Sequence, residues 1–449
     1  MSESNVSRAI AVEVGDSTAM DEALFRKVAW RFIPFLFLCY LIAQVDRMDV
    51  GFAKLTMLAD LRFSEVIYGI GAGVFFIGYV ACEVPSNILL RRFGAPSWLG
   101  RIMVSWGVVS VAMMFIRTPL QFYLLRFLLG VAEAGFFPGV IYYLGDWFPA
   151  ARRTRMTALF MSAIAMSGVM VGPVSGLILA RLNGFAGMAG WRWLFLFEGA
   201  PAILLGLITP RLLNRSPRDA AWLNPAERAR IATLVTTEHA SASDASLLRA
   251  LSHPRVLALG LVYACYGVSF FGLVFWLPTI VQASGVADPL AIGLLSALPW
   301  MAGVAAMLVA GAYVDRRGRT RAVLVGLALI SALGWGLSPW ARGHVGTAIL
   351  LCALATAGAM GSLPVFWNLP AAMFQGAAAA AAIALISAIG NLPGFFSPYV
   401  VAVLKQTTGS LDIPMYLFAG AMAVAAAMLG WLVPSAAGQP EGAPPDPPR

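Results

Sequence analysis

Residues 28–53 read VAWRFIPFLFLCYLIAQVDRMDVGFA. From Phe32 to Val45 the run carries no charge, and then Asp46, Arg47 and Asp49 arrive within four positions. A helix crossing a bilayer core needs roughly 20 mostly apolar residues, so this stretch predicts a membrane span that keeps ionisable groups on board. Asp46 falls roughly 16 residues beyond Trp30, about 24 Å along a helix rising about 1.5 Å per residue.

The remainder of the chain agrees with that reading. Its 449 residues are 59% hydrophobic and only 12% charged, too few charges to cover the surface of a water-soluble domain this large. The formal charge of +9 is spread between apolar runs and forms no basic patch or arm, which argues against a nucleic-acid partner. Cys39, Cys82, Cys265 and Cys352 lie inside apolar segments without CxxC spacing, so they read as packing residues and no metal site is expected. No HExxH motif, Cys/His constellation or phosphate-binding glycine loop appears, so neither an enzyme nor a cofactor is expected. The first 27 residues are polar and mixed in charge, which predicts no cleavable signal ahead of the first span.

Apolar runs predict an all-α membrane protein with twelve transmembrane helices in two six-helix bundles. The spans fall near 28–50, 66–90, 97–116, 119–144, 155–180 and 191–211, then 255–282, 289–314, 320–339, 344–367, 376–403 and 412–434. The organisation is a cytoplasmic tail at 1–27, a bundle at 28–211, a cytoplasmic linker at 212–254, a second bundle at 255–434 and a cytoplasmic tail at 435–449. Asn224 to Glu238 in the linker predicts a short amphipathic helix opened by Asn-Pro. Basic residues such as Arg26, Lys27, Arg91, Arg92, Arg152, Arg153, Arg316 and Arg317 collect in alternate loops, which predicts both termini inside. Gly168, Gly172 and Gly176 recur at four-residue spacing, as does the pair Gly130 and Ala134, marking faces for close helix approach.

Charge at mid-membrane is expensive, at least about 2.5–3.5 kcal/mol per group on insertion scales. The fourth span nevertheless holds Arg126 and Glu133, seven residues apart and so on one helix face. With Asp46 and Arg47 they form two acids and two arginines in one half. Two internal salt bridges that merely hold the bundle are one reading. Function is the other, and buried ion pairs stabilise poorly relative to apolar replacements. Arginine offers forked donors to a carboxylate and keeps its charge when dry. Glu83 and Glu198 are expected to be structural, bonded to neighbouring helices or backbone. Asp49 is expected near the outer end of the first span.

Several of these residues together resemble a known family. They are Asp46-Arg47 before Gly51-Phe52-Ala53, Val84-Pro85-Ser86-Asn87, the run Arg126 to Gly139, and Trp191-Arg192-Trp193-Leu194-Phe195. The chain is similar in these to the anion:cation symporter group of the major facilitator superfamily, over essentially its whole length. Gly311, Asp315, Arg316, Gly318 and Arg319 resemble the superfamily's loop motif between spans eight and nine. The corresponding first-half stretch, Leu90 to Gly94, lacks its Asp. The resemblance implies a carrier for carboxylates working by alternating access and driven by protons. It implies that Arg47 and Arg126 hold the substrate carboxylate and that Asp46 and Glu133 couple protons. Gln44, Tyr79 and Asn391 are implied in the substrate pocket, with Trp367 as a wall residue. The group usually reads Asp-Arg-x-Asn where this chain has Asp49, and Asn-Leu-Gly-Gly where it has Asn391-Leu392-Pro393-Gly394. Pro393 lacks a backbone donor, so the eleventh helix is expected to break there.

The expected function is therefore import of a small organic acid anion with protons, by a monomer in the bacterial inner membrane whose partners are that carboxylate, protons and the lipid bilayer. A proton-coupled antiporter or exporter of the same fold is the alternative. Ser162 and Ser167 are the polar residues of a fifth-span stretch otherwise holding Met161, Ile164, Met166 and Met170. Few hydroxyl partners there favours an apolar or aromatic carboxylate over a sugar acid.

Overall fold

The computed structural model describes residues 3–236, 253–341, 343–373 and 376–433, and the regular elements among them are all helical. Helices are the natural outcome for segments in lipid, where each backbone N–H and C=O must be satisfied within its own segment. In the first half they are α1 (Glu3–Leu61), α2 (Glu65–Phe93), α3 (Ala95–Met113), α4 (Pro119–Glu133), α5 (Phe136–Trp147), α6 (Ala150–Arg181) and α7 (Gly190–Leu212). A short α8 (Pro225–Thr236) follows. The second half comprises α9 (Pro254–Ala283), α10 (Pro289–Arg317), α11 (Thr320–Leu337), α12 (Val345–Phe366), α13 (Asn368–Met373), α14 (Gly376–Thr408) and α15 (Asp412–Leu432). The expected tail at 435–449, linker residues 237–252 and Glu238 lie outside the described residues.

Polar residues set the helix ends. Ser64 accepts the Ile67 N–H at 3.2 Å to open α2, and Asp288 accepts the Ala291 N–H at 2.9 Å to open α10. Thr118 and Gln121 form a reciprocal capping box on α4.

Among the described residues eleven helices are long and apolar enough to cross a membrane, one fewer than expected. The one outside that set is α3, whose 19 residues include Ser97, Arg101 and Ser105. Three other expectations are corrected. The first helix runs on to Leu61 and does not end near residue 50, so Asp46, Arg47 and Asp49 sit well inside it. The fourth span is two helices, because Ala134 leaves the helical conformation and Gly135 at φ +86° takes a left-handed turn two residues after Glu133. Helix α14 passes through Pro393 unbroken; a proline costs one backbone bond, and packing on both sides overrides that local preference.

The two halves repeat one packing scheme. In the first, α1 lies against α6 and α7, α3 against α7 and α4, and α2 against α4. In the second, α9 lies against α14 and α15, α11 against α15 and α12, and α10 against α12. Internal repetition of this kind places a carrier's site between repeats. Contact between halves runs through α6 with α10, α2 with α14 and α1 with α9. Small residues permit the approach: a side chain on Gly172 would strike the Gly293 carbonyl, and one on Gly176 the Pro289 carbonyl.

These approaches lie toward the face where α1 ends and α2 begins, called the distal face below. Glu65 there pairs with Lys54 at 2.8 Å and with Lys405 of α14, while Lys54 stands 3.5 Å over the Trp276 ring of α9. The Tyr68 hydroxyl donates to the Phe275 carbonyl at 3.1 Å. Past the midpoints of these helices, Val80 and Val84 of α2 and Leu308 and Val309 of α10 are exposed. The linker is more than a tether, since its described part docks on the first half. Lys27 bonds Glu227 at 3.0 Å, Arg230 bonds Asp21 at 2.9 and 2.8 Å, and Trp222 stacks on Trp147.

Candidate functional site

The sequence-predicted charges of α1 and α4 converge inside the first half, but with pairings the sequence did not give away. Arg47 donates from Nε to Glu133 Oε1 at 2.8 Å, and its Nη2 lies 2.7 Å from the same oxygen. The Glu133 side chain is 1% exposed and that of Arg47 is 21% exposed. Glu133 is the last residue of α4, where unsatisfied carbonyls carry partial negative charge, so the guanidinium is attracted by the helix end as well as by the carboxylate. Arg47 also stands 4.9 Å over the Tyr79 ring and 5.6 Å over the Phe75 ring, cation–π contacts that help an arginine remain charged out of water.

Arg126 does not pair with Glu133 despite sharing its helix face. It is 1% exposed, donates from Nε to the Gly71 carbonyl at 3.2 Å, lies 5.0 Å from the Phe75 ring and leaves Nη1 without a partner. Asp46 is likewise not held by an arginine: it accepts the Ser110 hydroxyl of α3 at 2.5 Å through Oδ1, and Oδ2 has no partner. Both acids still lie in the field of Arg126. The arrangement is thus one open ion pair, Arg47 with Glu133, backed by a sealed layer of Arg126 and Asp46.

Two further corrections concern acids. Asp49 is not near a helix end; it is fully buried and faces Glu198 of α7, and neither residue's carboxyl oxygens have a hydrogen-bond partner. Glu198 therefore meets a neighbouring helix as expected, but through a second acid and not through a backbone or side-chain donor. Glu83 is partly buried behind Tyr79, near Arg47.

The other predicted residues divide between the halves. Gln44 is buried one turn before Arg47, beside the Tyr40 hydroxyl. Trp367, just after α12, packs edge-on to Tyr263 at 4.8 Å. Asn391 is exposed on α14, one turn before Gly394, which lies against Phe76 of α2. Neither second-half residue has a contact with the arginines. Sequence reasoning missed Ser110, one of three serines on α3 with nothing local to set it apart. It also missed the Lys54, Glu65 and Lys405 cluster, whose members are up to 351 positions apart and offer no pattern until folded.

Ser162 and Ser167 are spent on their own helix, donating to the carbonyls of Leu159 and Ile164 at 2.6 and 2.7 Å. A small apolar cavity lined by Met48, Phe52, Val171, Leu273, Leu277 and Trp300 lies between the halves on the distal side of the ion pair. Among the described residues no group of His, Cys, Asp and Glu could hold a metal ion.

Comparison with known proteins follows this geometry. Residues 36–398 match the family described as Major Facilitator Superfamily. The chain is 42% identical over 409 residues to a protein of Agrobacterium vitis named "Putative tartrate transporter", covering 91% of this chain and 94% of that one. It is 39% identical over 401 residues to a "Quinolone resistance transporter" of Acinetobacter baumannii, covering 88% and 92%. Among solved structures it resembles a D-xylose-proton symporter with a TM-score of 0.72 at 19% identity, covering 90% of this chain and 98% of that one. That last likeness is one of fold.

Proposed function

The chain belongs to the major facilitator superfamily, and from that premise we propose that it imports a small carboxylate together with protons by alternating access. In this reading it is a monomeric, twelve-span carrier of the bacterial inner membrane with both termini cytoplasmic, α3 being the twelfth span. Residues 28–211 and 255–434 rock against each other about the charged layer. One observation carries the proposal: Arg47, the reachable cation of the site, is occupied by Glu133, a buried carboxyl that a proton can neutralise.

The chemistry follows from competition for donors. While Glu133 is ionised it holds Arg47 Nε and Nη2. Protonation removes the charge that holds them, and both donors then present a fork to an incoming carboxylate. Arg126, with Nη1 unpaired, supplies a second cation once the substrate has entered. Asp46, secured by Ser110 on one oxygen only, takes a second proton. Loss of the protons on the other side restores the Arg47–Glu133 pair and expels the anion. Gln44, Tyr79, Asn391 and Trp367 border the anion's path.

Transport by purified protein in vesicles tests this. Glu133→Gln retains exchange of labelled substrate across the membrane and loses accumulation driven by a pH gradient. Normal accumulation by that variant removes Glu133 from coupling. A relative's name points to tartrate, whereas the spent serine hydroxyls on α6 favour a less hydroxylated acid. Competition by tartrate and by an aromatic monocarboxylate separates the two. The name of the relative from Acinetobacter baumannii favours export as the second reading, and the direction of flux under an imposed acid gradient decides it.

A further inference from the structure

Asp49 and Glu198 are used by none of the steps above. Asp49 is 0% exposed and Glu198 is 4% exposed. All four of their carboxyl oxygens are buried and lack a hydrogen-bond donor, and the two carboxyls are neighbours where α1 packs on α7. Such a contact is repulsive if both are ionised and becomes an O–H···O bond when one proton is added, as in paired carboxyls that share a site. Buried polar atoms without partners are rare and call for an explanation. A shared proton satisfies one oxygen on each residue at once.

The surroundings are consistent. Asp46 lies one turn earlier on α1, Arg126 of α4 lies beside the Asp49 member of the pair, and the Tyr68 hydroxyl from α2 lies in the field of Asp49. Helices α6 and α9, also packed on α1, carry their charged residues only near their ends. Arg126 Nη1 is buried and unpartnered, and Asp49 is the first of its electrostatic neighbours. One arginine thus stands beside Asp49 with a donor unspent, held otherwise by the Gly71 carbonyl and the Phe75 ring.

We propose that Asp49 and Glu198 form a proton-binding site, holding one proton between them, whose occupancy sets how firmly Arg126 is retained away from the substrate. With the proton in place the pair carries one negative charge, and Arg126 is free to turn to the anion. Without it the pair carries two, and Arg126 is drawn back. The site is separate from Glu133, so it adds a proton to the coupling reading given above and rests on that reading only for its role in transport.

Infrared difference spectroscopy of ligand-free protein tests the site without any substrate. The expected result at neutral pH is a protonated-carboxyl C=O band that shifts in deuterium oxide, changes frequency in Asp49→Asn and in Glu198→Gln, disappears in the double variant, and survives in Glu133→Gln. Absence of such a band from the unsubstituted protein overturns the proposal, as does its unchanged persistence in the double variant. Ligand binding supplies the second arm: one linked proton changes Kd about tenfold per pH unit, so Asp49→Asn flattens the slope of Kd against pH by up to that factor. An unchanged slope in Asp49→Asn means that the pair does not govern Arg126.

Discussion

Replacing Glu65 by Gln removes the carboxylate that gathers Lys54 of α1 and Lys405 of α14 at the distal face. Glu65 of the first half bonds Lys405 of the second, and both side chains are 23% exposed. At a contact separation of about 3 Å and an effective dielectric of about 20, the gross attraction is about 6 kcal/mol. Desolvation of the two groups offsets most of it, so the net loss is set below the about 3–5 kcal/mol of a fully buried pair, at about 2 kcal/mol. The loss falls on the distally closed arrangement, because the Glu65–Lys405 bond and the Lys54–Trp276 contact both join the halves. Two ammonium groups are also left facing each other without an anion. A shift of about 2 kcal/mol changes the ratio of distally closed to distally open protein about 30-fold. Spin labels at Arg117 and Thr407, one on the distal end of each half, report the separation by pulsed electron resonance. Glu65→Gln is expected to lengthen the distance distribution without lowering helical content. An unchanged distribution in a folded variant refutes the idea that this cluster latches the halves.

Gly172→Ala acts on the same equilibrium by a different force: its methyl group would collide with the Gly293 carbonyl across the halves, and the same label pair should show distal opening. Glu227 gives a pH-dependent outcome on the linker. The Asn224 backbone N–H, then Lys27, hold its carboxyl below the ordinary carboxylate value against a small opposing desolvation. A folded value below the unfolded one contributes stability that is fully present above about pH 4.3 and is lost as pH falls through the lower folded value. Hydrogen-exchange protection in α8, taken relative to the intrinsic rate at each pH, should therefore fall below about pH 4, and Glu227→Gln should lose that protection at neutral pH; equal protection across that range dismisses the contact as incidental.

Much of the fold was legible because lipid imposes one rule on each segment separately. A run such as Phe32 to Val45 has to be helical wherever it packs, and the period of apolar runs names the segments before any contact is known. The limits of that reading are equally physical. Nothing in the local sequence says that α1 continues to Leu61, because Lys54 interrupts the apolar pattern and is tolerated only through Glu65 and Trp276, which come from elsewhere in the chain. Pro393 carries a local preference for a break, and packing of α14 between α9 and α2 overrules it.

The sequence by itself determined which charges enter the membrane: Asp46, Arg47, Arg126 and Glu133 are conspicuous because their desolvation is expensive at any position in a bilayer. Only the tertiary structure decided their partners. Arg47 goes to Glu133 across 86 positions, Asp46 to a serine on α3, and Asp49 to a second acid on α7. Burial is a property of a segment and can be read along the chain, whereas a hydrogen bond depends on ångström distances between helices, which only the packing of the whole bundle sets.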